Sequence, residues 1–192
     1  MKRVIKKIHQ IWDKDNFPKN FINHQLSLKN KHSDWQYTLW DLDKCRNLIK
    51  KEYVYFLDTF DNFKFNIQKI DAARFFILDF EGGVYADLDI FFYKNLEDLI
   101  VDKKAVIFNR KEDHYLQKLF YDENKDDVIN VLNTNGQYFL YNFYKINKYD
   151  STLLSSKFFE FYKNTQNYKN EDFIYGIHEY ANTWFEKTKV LV

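Results

Sequence analysis

The stretch from Asp71 to Ile90, DAARFFILDFEGGVYADLDI, decides the fold. It passes from a helix-like segment through a double glycine into a short apolar run, and then reaches the acidic pair Asp87 and Asp89. Ile70, Ala73, Ile77 and Phe80 recur at spacings of three and four, which makes one buried stripe of a helix, with Asn66 placed to cap it. Gly82 and Gly83 stand where a helix ends in a left-handed residue. Val84 to Asp87 then reads as a central strand. Side chains at i and i+2 of a strand point to the same side, so Asp87 and Asp89 are expected to converge. Two such carboxylates suit a hard cation, Mn²⁺ or Mg²⁺, whose other positions go to phosphate oxygens and water.

Upstream, Val4 to Trp12 has the β-branched and aromatic character of a first strand, and the polar run Asp13 to Asn16 follows it as a loop. Pro18 fits the first turn of a helix continued by Phe21, Ile22, Gln25, Leu26 and Leu28. Trp35 to Trp40 reads as a second strand, with Asp41 as N-cap of a helix through Ile49. This β-α-β-α order argues for an α/β sheet with helices on its faces. The acidic pair then falls near the C-terminal end of a strand, where open α/β sheets place their ligands. Downstream, Ala105 to Asn109 and Val128 to Leu132 read as strands. Asn133 to Gly136 reads as a turn. Gln137 to Lys148 and Thr152 to Lys163 read as helices crowded with aromatics.

At 192 residues the chain is most simply one domain. Aromatics make up 20% of it while Gly and Pro are scarce, the composition of a packed globular protein. The net charge of +1 gives no global draw towards nucleic acid or an anionic membrane. Cys45 is the single cysteine and cannot form an internal disulfide, which points to a reducing compartment. Lys6 and Lys7 interrupt the apolar residues near the N-terminus, so no signal-peptide core forms, and no apolar run nears the ~20 residues that span a bilayer. The expectation is a protein without a transmembrane segment, in the cytoplasm of a bacterial cell or of a virus-infected host cell. Phosphate-loop, dinucleotide-fingerprint, nucleophile-elbow and zinc-protease patterns do not occur.

Several residues near the acidic pair carry two readings. A bare D-x-D triplet often ends a strand as a solvated turn, but the helix, glycine pair and strand before this one fix both carboxylates on rigid elements. Asp71 and Arg74, three apart, are either a surface ion pair worth ~0.2–0.5 kcal/mol or a sugar-binding carboxylate beside a phosphate-neutralising guanidinium. Trp12 is either a core aromatic or a stacking platform for a nucleobase, with His9, Gln10 and Ile11 beside it for the base edge. A lone histidine such as His178 is more often structural. The segment HEYANTW nevertheless supplies His178, Thr183 and Trp184 together, an imidazole for a metal and a hydroxyl plus an indole N–H for a phosphate.

IHQIW at Ile8 to Trp12, YTLWD at Tyr37 to Asp41 and KIDAARFFILDFEGGVYADLDI at Lys69 to Ile90 stand in one order over the first half of the chain. In this the sequence resembles glycosyltransferase family 32, the DXD-containing sugar transferases. The resemblance implies a single GT-A-type α/β domain over 1–192, with a mixed, mostly parallel central sheet flanked by helices. Residues 1–95 would form its nucleotide-sugar-binding part and 96–192 an acceptor-side, closing part. It implies that Asp89 binds Mn²⁺ or Mg²⁺ directly, that Asp87 meets the donor and the metal's outer shell, and that His178 is a third ligand. Trp12 and the backbone at Ile11 would receive the base, Asp71 and Arg74 would position the donor sugar, and Tyr85, Ala86, Thr183 and Trp184 would complete the donor site. The implied activity is retaining transfer of a hexose, from a UDP-sugar in preference to GDP-mannose, to a glycan or glycoconjugate hydroxyl. The rival readings are a catalytically silent nucleotide-sugar-binding module, a toxin-like protein glycosyltransferase and a metal-dependent phosphohydrolase.

Overall fold

Strand β1, Lys7–Ile11, shows the alternation that organises everything around it. Ile8 and Gln10 point to one face and His9 and Ile11 to the other, and all four are buried. A strand buried on both faces must be covered on both, as in parallel sheets. The computed structural model that shows this describes residues 5–12, 17–101, 106–109, 152–155, 159–161 and 175–178.

Helix α1, Ile22–Lys31, follows a short 3-10 turn opened by Pro18, and strand β2, Gln36–Trp40, returns parallel to β1 with Ile8 opposite Tyr37. Asp41 caps helix α2, Leu42–Glu52, by accepting from the Lys44 N–H at 2.8 Å. After the short helix α3, Leu57–Asp61, comes helix α4, Asn66–Glu81. Its expected cap is corrected here. Asn66 is already helical, Phe65 holds the cap position, and the Gln68 carboxamide reaches back to accept from the Phe65 N–H at 3.1 Å. Strand β3, Val84–Tyr85, closes a parallel sheet in the order β2-β1-β3. The strand after the glycines is therefore at the edge of this described sheet and β1 is at its centre.

Two cores follow from the alternation. Ile8 packs with Leu28 of α1, Trp35, Ala86 and Phe92 on one face. Ile11 packs with Cys45 and Ile49 of α2 and with Ala73 and Ile77 of α4 on the other. The expected stripe on α4 holds at Ala73 and Ile77, but Phe80 is 47% exposed and so falls outside the core. Cys45 is a core residue whose thiol burial pushes up to about 12, so it is inert.

Strand β4, Ile90–Phe92, leads to helix α5, Glu97–Ile100. Strand β5, Val106–Asn109, confirms the sequence expectation there, and it pairs in parallel with strand β6, Thr152–Ser155. Strand β7, Phe159–Phe161, lies parallel to strand β8, Gly176–His178, which in turn runs antiparallel to β4. The helix expected over Thr152 to Lys163 is thus corrected to two strands. Its Leu and Phe residues satisfy helical spacing and period-two alternation alike, and a short apolar run does not separate the two. The described strands form three small sheets, an α/β arrangement with a parallel sheet, where one central sheet was expected. The strand expected at Val128 to Leu132, the turn at Asn133 to Gly136 and the helix at Gln137 to Lys148 lie outside the described residues. Among the described residues no helix is long and apolar enough to cross a membrane.

Side chain to backbone bonds tie α1 to β4. The Phe92 N–H donates to Ser27 Oγ at 2.9 Å, and the Leu96 N–H donates to His32 Nε2 at 3.0 Å while His32 Nδ1–H donates to Leu28 O at 2.8 Å. His32 therefore uses both ring nitrogens as a neutral imidazole, and burial lowers its pKa from 6.5. His9 is held likewise, with Nδ1 accepting from the Trp40 indole N–H at 3.1 Å and Nε2–H donating to Gly82 O at 3.0 Å, and burial lowers its pKa too. The native state keeps both neutral while the unfolded chain takes up protons below about 6.5. Stability should be fully present above that pH and fall as pH drops below about 6.5 through the lowered folded-state pKa values, measured by urea unfolding. In His32→Asn the fall should be shallower; an equal slope would contradict the account.

Gly83, at φ +86°, is the second backbone test. A Cβ there would lie 2.5 Å from Lys7 O in the backbone of β1. Gly83→Ala should lower stability by about 1–3 kcal/mol, seen as a lower thermal midpoint.

Candidate active site at the end of β3

The acidic triplet Asp87-Leu88-Asp89 leaves the sheet immediately after β3 and forms the turn into β4. The convergence expected from strand alternation is therefore corrected: a turn, anchored by buried Ala86 and Leu88, presents the two carboxylates. Ala86 still donates to His9 O at 3.1 Å, one last ladder bond before the chain departs. One residue further on, the Asp87 carbonyl accepts from the Gln10 side-chain N–H at 3.3 Å.

Helix α4 brings its own charges to the turn. Arg74 Nη2 donates to Asp71 Oδ1, and Arg74 Nη1 stands 4.0 Å from Asp87 Oδ1. Asp71 is almost wholly buried, while the Asp87 side chain is 41% exposed. The guanidinium thus bridges an inner carboxylate on a helix and an outer one on the turn. Its carbon lies 4.9 Å from the centroid of the Tyr85 ring, within cation–π range. Arg74 Nε is buried with no hydrogen-bond partner. Burial first, and then the Asp87 carboxylate, push the Tyr85 phenol up, so it remains protonated. Of the two readings of Asp71 and Arg74, the surface ion pair is excluded: the pair faces the triplet.

Strand β1 supplies the other wall. Gln10 and His9 are both buried and their polar atoms are spent within the protein, so these side chains hold the site together instead of offering edges to a base. Ile11 is a core residue and Trp12 follows the strand, with its N–H donating to Trp40 O at 2.9 Å and its ring edge-on to Phe21. Trp12 is half-buried. His178 enters through backbone register, because β8 sets it opposite Ile90, the residue after Asp89. Thr183 and Trp184 lie outside the described residues. Reasoning on the sequence missed Gln25 and Tyr37, which bond to one another and to Gln10; no spacing or composition signal distinguishes such a pair.

The donor set decides what metal chemistry fits. Among the described residues no group of three or more His, Cys, Asp and Glu side chains gathers as a metal cage. Two carboxylates on one accessible turn fit a divalent cation that takes one or two protein carboxylates and leaves its other positions to phosphate oxygens and water.

A family model described as a glycosyltransferase sugar-binding region containing the DXD motif matches residues 18–106, a span that includes α4, the glycine pair and the acidic turn. Residues 18–106 are thus similar to the sugar-binding region of the DXD-containing glycosyltransferases. Inositol phosphoceramide mannosyltransferase 1 of Schizosaccharomyces pombe is 39% identical over 103 residues, 52% of this chain and 32% of that protein. A mannosyl phosphorylinositol ceramide synthase of Saccharomyces cerevisiae is 39% identical over 97 residues, 50% of this chain and 25% of its own length. The initiation-specific alpha-1,6-mannosyltransferase of Candida albicans is 28% identical over 109 residues, 53% of this chain and 28% of that protein. The chain therefore matches no more than about a third of the length of these curated relatives.

The charge bridge makes a direct prediction. Arg74→Met leaves the buried Asp71 carboxylate without its cation and should cost about 1–3 kcal/mol, read from urea midpoints. Adding Asp71→Asn should recover most of that loss; a double variant as unstable as the summed single ones would remove the pair from the account.

Proposed function

We propose that the chain is a metal-dependent glycosyltransferase that moves a hexose from a nucleotide sugar to a hydroxyl of a glycan or glycoconjugate. The observation that carries this is the arrangement at the end of β3, where Arg74 bridges Asp71 and Asp87 beside Asp89 within the matched sugar-binding region. The fold is of the GT-A type, with the donor held by residues 1–95 and the acceptor side in 96–192. The sequence reading favours a UDP-sugar. The names of the three relatives given above, each for a mannosyl product or transfer, support GDP-mannose instead.

Asp89 and Asp87 would hold Mn²⁺ or Mg²⁺, and His178, the histidine that the resemblance implies as a ligand, would be the third. That ion supplies charge neutralisation for the departing nucleoside diphosphate. Arg74 adds positive charge at the same phosphates, and Asp71, ion-paired with Arg74, orients a sugar hydroxyl. Trp12 would receive the base at the end of β1 and Tyr85 and Ala86 would line the donor between β3 and the turn, while the resemblance assigns Thr183 and Trp184 to a phosphate. No carboxylate of the site stands out as a covalent nucleophile, and retention would proceed by front-face displacement. The bond from sugar C1 to the phosphate oxygen breaks, the bond from C1 to the acceptor oxygen forms, and the acceptor's proton passes to the leaving phosphate.

The test is calorimetry of UDP, GDP and their hexose derivatives with Mn²⁺, Mg²⁺ or chelator. One nucleotide family should bind in a metal-dependent way, and Asp89→Ala should abolish that binding with the fold intact. Trp12→Ala should weaken the nucleoside diphosphate by roughly 1–3 kcal/mol. No metal-dependent binding, or unchanged binding in Asp89→Ala, would overturn the reading.

A further inference from the structure

Behind the acidic turn runs a line of side-chain bonds that the donor site does not use. Lys29 Nζ of α1 donates to Gln25 Oε1 at 3.3 Å and sits 4.1 Å from the centroid of the Tyr37 ring. Gln25 Nε2 donates to Tyr37 Oη at 2.7 Å, Tyr37 O–H donates to Gln10 Oε1 at 3.0 Å, and Gln10 Nε2 donates to Asp87 O at 3.3 Å.

The direction of every bond follows from its first member. An ammonium only donates, so Gln25 must turn its oxygen to Lys29 and its N–H to Tyr37. Tyr37 then spends its proton on the Gln10 oxygen, which leaves the Gln10 N–H for Asp87. Burial pushes the Tyr37 phenol up to about 12, so its proton is present throughout the neutral range. Bonds aligned head to tail polarise one another.

Gln10 has no exposed surface and lies on the central strand among apolar neighbours. An apolar side chain of similar size there would be nearly neutral or favourable for stability if its partners were changed with it. What the carboxamide adds is a donor aimed at the Asp87 carbonyl, one residue beyond the last ladder bond, where the chain leaves β3 and the acidic turn begins.

We propose that Lys29, Gln25, Tyr37 and Gln10 form a one-way hydrogen-bond chain that positions the Asp87–Asp89 turn, making Gln10 and Tyr37 positioning residues for the donor site. The functional half of this rests on the glycosyltransferase reading above; the positioning half does not. Tyr37→Phe is the cleanest variant, because it keeps the ring, its packing and its contact with Lys29 while removing the one proton that orients Gln10. Gln10→Leu is the second.

The experiment pairs amide hydrogen exchange on the full chain with Mn²⁺ titration in the presence of UDP or GDP. In Tyr37→Phe the amides of residues 86–90 should exchange about tenfold faster, while those of α2 keep their wild-type rates. The Mn²⁺ concentration for half-maximal nucleotide binding should rise several-fold, with metal-free nucleotide binding unchanged. A merely structural role would speed exchange across the domain and weaken both kinds of binding alike, which would overturn the proposal. So would wild-type exchange at 86–90 in both Tyr37→Phe and Gln10→Leu. A wild-type chain that binds neither nucleotide with Mn²⁺ would overturn the donor-site reading and the functional half, a result distinct from the exchange measurement that decides the positioning.

Discussion

Two adjacent side chains of β1 bracket the short strand β3, and the rest of the site depends on that bracket. His9 donates to the carbonyl of Gly82 before the strand and Gln10 donates to the carbonyl of Asp87 after it. The two side chains lie on opposite faces of β1, so the segment between is held from both sides of the sheet. A strand of two residues has few ladder bonds of its own. Side-chain donors at each end substitute for the missing ones, and the Gly83 backbone approaches β1 closely enough that a Cβ would collide with it. The acidic turn starts from a fixed point because its entry is fixed.

Charge completes what the bracket begins. Arg74 belongs to α4, packs over Tyr85 of β3 and faces Asp87 of the turn, so one guanidinium links the three pieces that meet at the site. An inner carboxylate held by a cation and an outer pair left accessible divide the acidic groups into two roles. The inner one is rigid and suits hydrogen bonding to a neutral hydroxyl. The outer ones can share a divalent ion with phosphates, which are anionic and would be repelled by carboxylates alone.

Much of this was legible in the sequence where local rules decide. The β-branched and aromatic run of β1, the Asp41 cap, the glycine pair and the place of the triplet after a strand all follow from propensity and turn chemistry. The resemblance of three ordered segments supplied the family. What was not legible depends on tertiary partners. Gln10 reads as a polar edge residue until a Tyr37 hydroxyl and an Asp87 carbonyl are seen to consume it. Phe80 continues a perfect helical stripe, yet it is exposed, because spacing alone does not show how far the tertiary cover extends. The aromatic run after Thr152 fits both helical and alternating periods, and only strand partners choose between them. The i,i+2 argument for Asp87 and Asp89 reached a sound grouping by an unsound route, because a turn and not a pleat sets their directions.

The central claim is that the acidic turn joins a divalent ion to the diphosphate of a nucleotide sugar. Paramagnetic broadening of the ³¹P resonances of GDP-mannose or UDP-glucose by Mn²⁺, with the protein present, tests it most directly. The account predicts that both phosphorus signals of one donor broaden strongly with the wild-type chain and far less with Asp89→Asn. Broadening that is the same for both proteins, or a donor that binds the wild type while its phosphorus signals stay as they are in free solution, would contradict it.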